Sequence, residues 1–142
     1  MADSKKDSKA GSAKKLVFHY VPDLPVLLSI EAKYNTLGSF ALFYADMSDN
    51  EEIRFEEFGV GKKRIDDSEL DMFTIPLATN DLHKFVVLIQ GKYAPHPGNS
   101  ELYVKYEVIQ DEVSQSLVID EKVDNDDVRY YRRTIEFKPK EK

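Results

Sequence analysis

A chain of 142 residues has the length of one domain, and its 42% hydrophobic and 32% charged residues are typical of a globular protein. It contains no cysteine, which excludes disulfides, thiolate metal sites and cysteine nucleophiles. The formal net charge is -6, and acidic surfaces repel phosphate backbones, so the composition argues against nucleic-acid binding by the folded body. No apolar run approaches the ~18 residues of a transmembrane helix.

The two ends of the chain differ from its body. Residues 1–14 are rich in Lys and Ser and poor in hydrophobic residues, a composition that predicts a disordered tail. Residues 139–142 predict a short basic tail, which leaves a single domain over residues 15–138. Because the first residues lack the apolar stretch of a secretory signal, we expect a cytoplasmic, soluble protein.

Along residues 15–138, apolar side chains recur with period two between turn-forming Gly, Pro, Asn and Asp, a pattern typical of strands. A helical period is nowhere sustained, although residues 111–115 could form one turn. About nine strands at this spacing predict an all-β fold, an antiparallel β-sandwich of Ig-like or jelly-roll wiring. The predicted strands cover residues 16–20, 26–33, 39–45, 51–60, 70–75, 82–93, 101–110, 114–120 and 128–137.

Two of these segments carry extra information. Residues 39–45 are apolar on both faces, which predicts a central strand covered on both sides. In residues 51–60 the alternation slips phase at Glu56 and Glu57, which predicts a β-bulge.

Catalytic signatures are missing from the sequence. His19, His83 and His96 form none of the close pairs that bind zinc or iron. No Gly-x-Ser-x-Gly elbow or phosphate-binding glycine loop occurs either. We therefore predict a protein that is not an enzyme and needs no cofactor. A hydrolase or isomerase that uses His83 or His96 with a carboxylate is a third, weaker alternative.

Acidic turns offer oxygen atoms of the kind that calcium prefers. Without the spacing of a calcium-binding loop, however, such turns are ordinary turn chemistry in an acidic protein. A module that binds a glycan or lipid headgroup, assisted by calcium, is the second functional hypothesis. Its weak metal candidates are Asp46, Asp49, Asp124, Asp126 and Asp127.

The most suggestive segment is Tyr130-Tyr131-Arg132-Arg133, because Tyr and Arg are enriched in protein interfaces. Alternation places Tyr131 and Arg133 on the core side with the apolar residues that follow, and Tyr130 and Arg132 outward. Aromatic residues are also common in strands for purely structural reasons.

A second patch combines Tyr93 and Tyr103 with the proline-bracketed His96. The favoured hypothesis is a non-catalytic module for protein–protein interaction or self-assembly. Its predicted partner-binding residues are Tyr130, Arg132, Tyr103 and His96.

Overall fold

The computed structural model describes residues 14–34, 36–47, 55–63, 70–76, 84–98, 100–123 and 127–140. The tail predicted for residues 1–14 lies outside these ranges except for Lys14. Within the described ranges, no helix has the length and apolarity needed to span a membrane. The strands are β1 (Lys15–Tyr20), β2 (Leu27–Lys33), β3 (Leu37–Asp46), β4 (Glu56–Lys63), β5 (Asp71–Thr74), β6 (Phe85–Ala94), β7 (Glu101–Gln110), β8 (Val113–Lys122) and β9 (Arg129–Pro139).

The strands form two packed sheets, which confirms the predicted all-β sandwich. One sheet has the order β1-β9-β6-β3-β4 and the other has the order β5-β2-β7-β8. Every pairing is antiparallel except that between β1 and β9, which is parallel. The first and last of the described strands are therefore neighbours, and theirs is the one parallel pair in the predicted, otherwise antiparallel sandwich.

The core lies between the two sheets, where alternate residues of each strand meet. β7 shows the pattern most cleanly, because its even-numbered residues are buried while the intervening ones are partly exposed. Large side chains with less than 2% exposure come from both sheets: Phe18, Tyr20, Leu28, Ile30, Leu42, Ile89, Tyr93, Leu102, Tyr106, Ile119, Ile135 and Phe137.

The predicted bulge is present in β4. Leu42 pairs with Gly59 while the next residue, Phe43, pairs with Glu57, so Phe58 is the additional residue. β3 is an interior strand of its sheet, between β6 and the edge strand β4. Its inner residues Phe40 and Leu42 are buried, but Phe43 on the outer face is only half-buried, so full coverage of both faces was not a correct prediction.

Polar contacts close two borders of the sandwich. At the β4–β5 border, Lys63 Nζ lies 2.9 Å from Asp71 Oδ2, and the Lys63 side chain is buried. At one end, the Gln110 side chain holds the connection between β1 and β2. Its Oε1 accepts from the Val21 N–H at 2.8 Å, and its Nε2 donates to the carbonyls of Val21 at 2.8 Å and Leu24 at 3.1 Å.

Candidate partner-binding groove along strand β9

β1 covers only part of β9. The parallel pairing begins with Lys15 beside Thr134 and continues to the end of β9. On its other side, β9 pairs with β6 from Phe137 opposite Phe85 back to Arg129 opposite Tyr93. In the part of the chain that the structure describes, residues 129–133 therefore have a neighbouring strand on one side only.

The backbone of this half-strand presents hydrogen-bonding groups to the open side. The Thr134 N–H donates to the Lys14 carbonyl at 2.9 Å, so the backbone N–H and carbonyl groups of Thr134 point toward β1. Because successive residues of a strand point their backbone groups to opposite sides, the backbone groups of Arg132 and Tyr130 point in the same direction as those of Thr134. The Arg132 carbonyl accepts from Arg133 Nη1 at 3.0 Å, while the N–H groups of Tyr130 and Arg132 face the open edge.

A groove of about 910 Å³ follows this open edge, between β9, β8 and the start of β1. Its lining is basic although the chain as a whole is acidic. Five cationic side chains and two carboxylates contribute to it, and one pair is joined, since Lys15 Nζ lies 2.8 Å from Glu136 Oε1. The lining residues are Lys14, Lys15, Glu121, Arg129, Tyr130, Tyr131, Arg132, Arg133, Thr134 and Glu136.

Arg133 is the most unusual residue of the lining because it is a cation with only 4% exposure. Its guanidinium carbon lies 5.4 Å from the centre of the Tyr131 ring. Among the described residues, its Nε has no hydrogen-bond acceptor and no carboxylate forms an ion pair with it. Burying a charge without a counter-charge is costly, so the groove contains a site at which an anionic group would be stabilised.

Tyr131 joins the two sheets at the floor of the groove. Its hydroxyl, on β9, donates to Glu121 Oε1 on β8 at 2.8 Å. Burial raises the pKa of Tyr131 above its ordinary value of 10.0, and the hydrogen bond to Glu121 and the charge of that carboxylate add to the increase. The hydroxyl therefore stays protonated near neutral pH and holds Glu121 in place.

A second pair of tyrosines lies behind this floor. The hydroxyl oxygens of Tyr93 and Tyr106 are 2.7 Å apart in the core, and the rings of Tyr93 and Tyr131 are 6.2 Å apart. Gly91 leaves the room that they need, because a Cβ there would collide with the Tyr93 ring and lie 3.0 Å from the Tyr106 hydroxyl. The wall behind Arg133 is thus built from packed tyrosines.

Two of the four predicted partner-binding residues lie in the groove. Tyr130 is 76% exposed, with Lys92 Nζ 5.7 Å from its ring centre, and Arg132 is exposed beside it. The alternation along β9 is also as predicted, with Tyr131 half-buried and Arg133 buried on the inward side. Whether Tyr130 and Arg132 bind a partner stays a prediction.

The other two residues lie elsewhere. Tyr103 is on the outer face of the four-stranded sheet, where its ring is 6.2 Å from that of Tyr34 and 4.8 Å from Lys33 Nζ. His96 is half-buried in the β6–β7 connection. Neither lines the groove, and Tyr93, which was grouped with them in a second patch, is fully buried and contributes nothing to the surface.

The calcium candidates are dispersed or lie outside the described residues. Asp46 ends β3 opposite Phe85, whereas Asp127 precedes β9 at the other end of the same sheet, so these two cannot share an ion. Within the described ranges, no three His, Asp or Glu side chains are grouped as a metal site would require. Outside those ranges lie Asp49, Asp124, Asp126 and His83.

Comparison of the chain with known protein families, curated proteins and solved structures finds no match in any of the three. The outward residues Tyr130 and Arg132 were predicted from the sequence, whereas Arg129 and Arg133 were not predicted as binding residues. An arginine in a core-facing position of a strand was the available signal, since an inward cation calls for a partner. Lys14 could not be recognised, because it joins the groove only through the β1–β9 pairing.

Proposed function

We propose that this chain is a non-catalytic protein-interaction module that binds its partner in the groove along β9. The observation that carries the proposal is the half-strand at residues 129–133, which among the described strands pairs with β6 alone and carries the exposed side chains of Tyr130 and Arg132. Uncovered strand edges readily pair with another chain, and Tyr and Arg are the residues that most often dominate binding energy at interfaces.

The chemistry of the groove favours binding over catalysis. General acid–base catalysis works best with a group whose pKa lies near the working pH. The arginines of the lining are permanently charged, and burial raises the pKa of the Tyr131 hydroxyl further from neutrality. The two carboxylates, Glu121 and Glu136, are engaged by Tyr131 and Lys15.

Site-specific photocrosslinking in lysate of the source cells tests the proposal. A benzophenone amino acid at position 130 reports on the groove, and the same group at Val60 serves as the control. Val60 is 59% exposed on β4, at the opposite edge of the same sheet. We expect a discrete set of crosslinked proteins, or a crosslinked second copy, from position 130 that is absent from position 60.

Two further measurements complete the test. Arg132→Ala should remove the crosslinks formed from position 130, because it deletes a charged contact of the groove. Sedimentation of the purified protein distinguishes self-association from binding to another protein. Identical products from positions 130 and 60, together with a monomer at all concentrations, would overturn the proposal.

A further inference from the structure

We propose that the occupant of the groove is an acidic, extended segment of another protein, which adds to β9 as a further strand over residues 129–133. This inference rests on the proposed function and specifies the chemistry of the partner. It combines three features of the groove: backbone N–H groups that have no partner among the described residues, the positive charge of the lining, and the buried guanidinium of Arg133.

The backbone groups favour a strand as the occupant. The N–H groups of Tyr130 and Arg132 face the open edge two residues apart, and a polypeptide in extended conformation supplies carbonyls at that spacing. β1 limits the available length, because Lys15 pairs with Thr134 and the Lys14 carbonyl already accepts from the Thr134 N–H. The remaining edge accepts about five residues at roughly 3.3 Å each.

The charges favour an acidic segment. Side chains of an added strand alternate between its two faces, and each face meets a cation: Arg132 on the outer face of the sheet and Arg133 on the inner one. Pairing of β9 with β9 from a second copy would place these arginines near each other, which is unfavourable. Among the chain's own first residues, those that directly precede Lys14 are Ala10, Gly11, Ser12 and Ala13, which carry no carboxylate to neutralise the arginines.

Arg133 provides the anchor for one carboxylate. Arg133 lines the groove, and its buried Nε finds no acceptor among the residues that the structure describes. An Asp or Glu on the inward face of the added strand would satisfy that donor and neutralise the charge. Such charge-assisted hydrogen bonds are the strong ones, particularly where water is excluded.

Fluorescence anisotropy with synthetic peptides tests the inference on the full chain. The probes are ten-residue peptides in which Glu alternates with Val or Thr, and matched peptides in which Lys replaces Glu. We expect the Glu peptides to bind and the Lys peptides not to bind. Binding should weaken with salt, since opposite charges are involved.

Methylation of the peptide backbone separates strand addition from simple attraction between charges. Two versions of the best Glu peptide carry backbone N-methyl groups. In one version they are on the odd-numbered residues, and in the other they are on the even-numbered residues. One set must face β9 in an added strand, so one version should lose binding by at least roughly tenfold while the other binds nearly as well. Equal binding of both versions, or equal displacement by free glutamate and inorganic phosphate, would show an anion site without a strand and overturn the inference.

Variants assign the contacts. Arg132→Ala and Arg133→Met should each weaken binding of the Glu peptide by about tenfold, which corresponds to one strong charged contact. Lys122→Ala is the matched control, because Lys122 is exposed on β8 and lies outside the groove lining. A thermal melt of Arg133→Met verifies folding, and Arg133→Lys retains the charge if the Met variant does not fold.

Amide hydrogen exchange reports on the edge directly. In the free protein the N–H groups of Tyr130 and Arg132 should exchange faster than that of Tyr131, which faces β6. The Glu peptide should slow the exchange of the Tyr130 and Arg132 N–H groups. Slow exchange of Tyr130 and Arg132 without peptide would show that the edge is already covered and would overturn the inference. Crosslinking from position 130 without binding of any Glu peptide would overturn only the acidic strand and leave the interaction module standing.

Discussion

The hydroxyl oxygens of Tyr93 and Tyr106 lie 2.7 Å apart at the centre of the sandwich, where both side chains are fully buried. Tyr93 is on β6 and Tyr106 on β7, so this hydrogen bond links the two sheets. Apolar packing between sheets tolerates small displacements, whereas a hydrogen bond has a defined length and direction. The pair therefore fixes how the sheets sit behind the groove.

Removal of one hydroxyl of this pair should lower the free energy of unfolding by more than the contribution of the hydrogen bond itself. Tyr93→Phe and Tyr106→Phe should each lower the free energy of unfolding by roughly 1–3 kcal/mol, because each leaves the other hydroxyl buried without its partner. The double variant should lose less than the sum of the two single losses, and urea denaturation measures all three. Strict additivity would contradict a direct bond between the two side chains.

Stability should fall in alkaline solution. Burial raises the pKa of Tyr93, Tyr106 and Tyr131 above 10.0, so the folded state keeps them protonated while the unfolded chain ionises near pH 10. Below about pH 9 both states bind the same protons, and the free energy of unfolding is unaffected by these groups. As the pH rises above 10, the unfolded state releases protons first and stability decreases.

Urea midpoints measured between about pH 8 and pH 11 reveal this decline. Tyrosinate absorbance should rise together with unfolding for the buried groups. In Tyr131→Phe one of the raised pKa values is absent, so the decline should be shallower. A constant midpoint across this range would contradict the burial of these hydroxyls.

The Lys63–Asp71 pair at the β4–β5 border should behave as a coupled unit. Lys63→Met leaves the Asp71 carboxylate without this cation, and Asp71→Asn leaves the buried Lys63 ammonium without this anion, so each should destabilise the fold. Lys63→Met with Asp71→Asn removes both charges. We expect a coupling energy of roughly 0.5–3 kcal/mol from the denaturation cycle. A coupling of zero would show that the 2.9 Å contact adds nothing to stability.

Local alternation was enough to predict most of the fold. The strands of β7 and β9 carry clean period-two patterns, and the phase slip near Glu57 corresponds to the bulge at Phe58. The helical turn considered for residues 111–115 was wrong. Asp111 adopts a left-handed φ of 54° in a two-residue turn, and β8 begins at Val113, because tight pairing of β7 with β8 overrides a weak local preference.

The groove could not be predicted in the same way, because it depends on a pairing between the two ends of the chain. Nothing in the alternation of residues 16–20 indicates that their neighbour is β9 or that they run parallel to it. Among the described residues, the half-strand is open because β1 pairs with β9 from Lys15 onward while β9 begins five residues before Thr134. Local alternation predicts that Tyr130 points outward, but it does not predict the groove that surrounds Tyr130.

The outward residues of β9 should be dispensable for folding although they form the proposed binding surface. Tyr130→Ala with Arg132→Ala should change the free energy of unfolding by less than about 1 kcal/mol, because both side chains are exposed and the contact of Tyr130 with Lys92 is a surface one. The matched control is Ile135→Ala on the inward face of the same strand. Ile135 is fully buried, so its loss should cost roughly 2–5 kcal/mol.

Denaturation and crosslinking on the same variants separate the two roles. The double variant should retain the denaturation midpoint of the unaltered protein. It should fail to crosslink through a photoreactive group at Arg129, which lines the same groove. If the double variant instead unfolds as readily as Ile135→Ala, then Tyr130 and Arg132 hold the sheet together and the binding surface lies elsewhere.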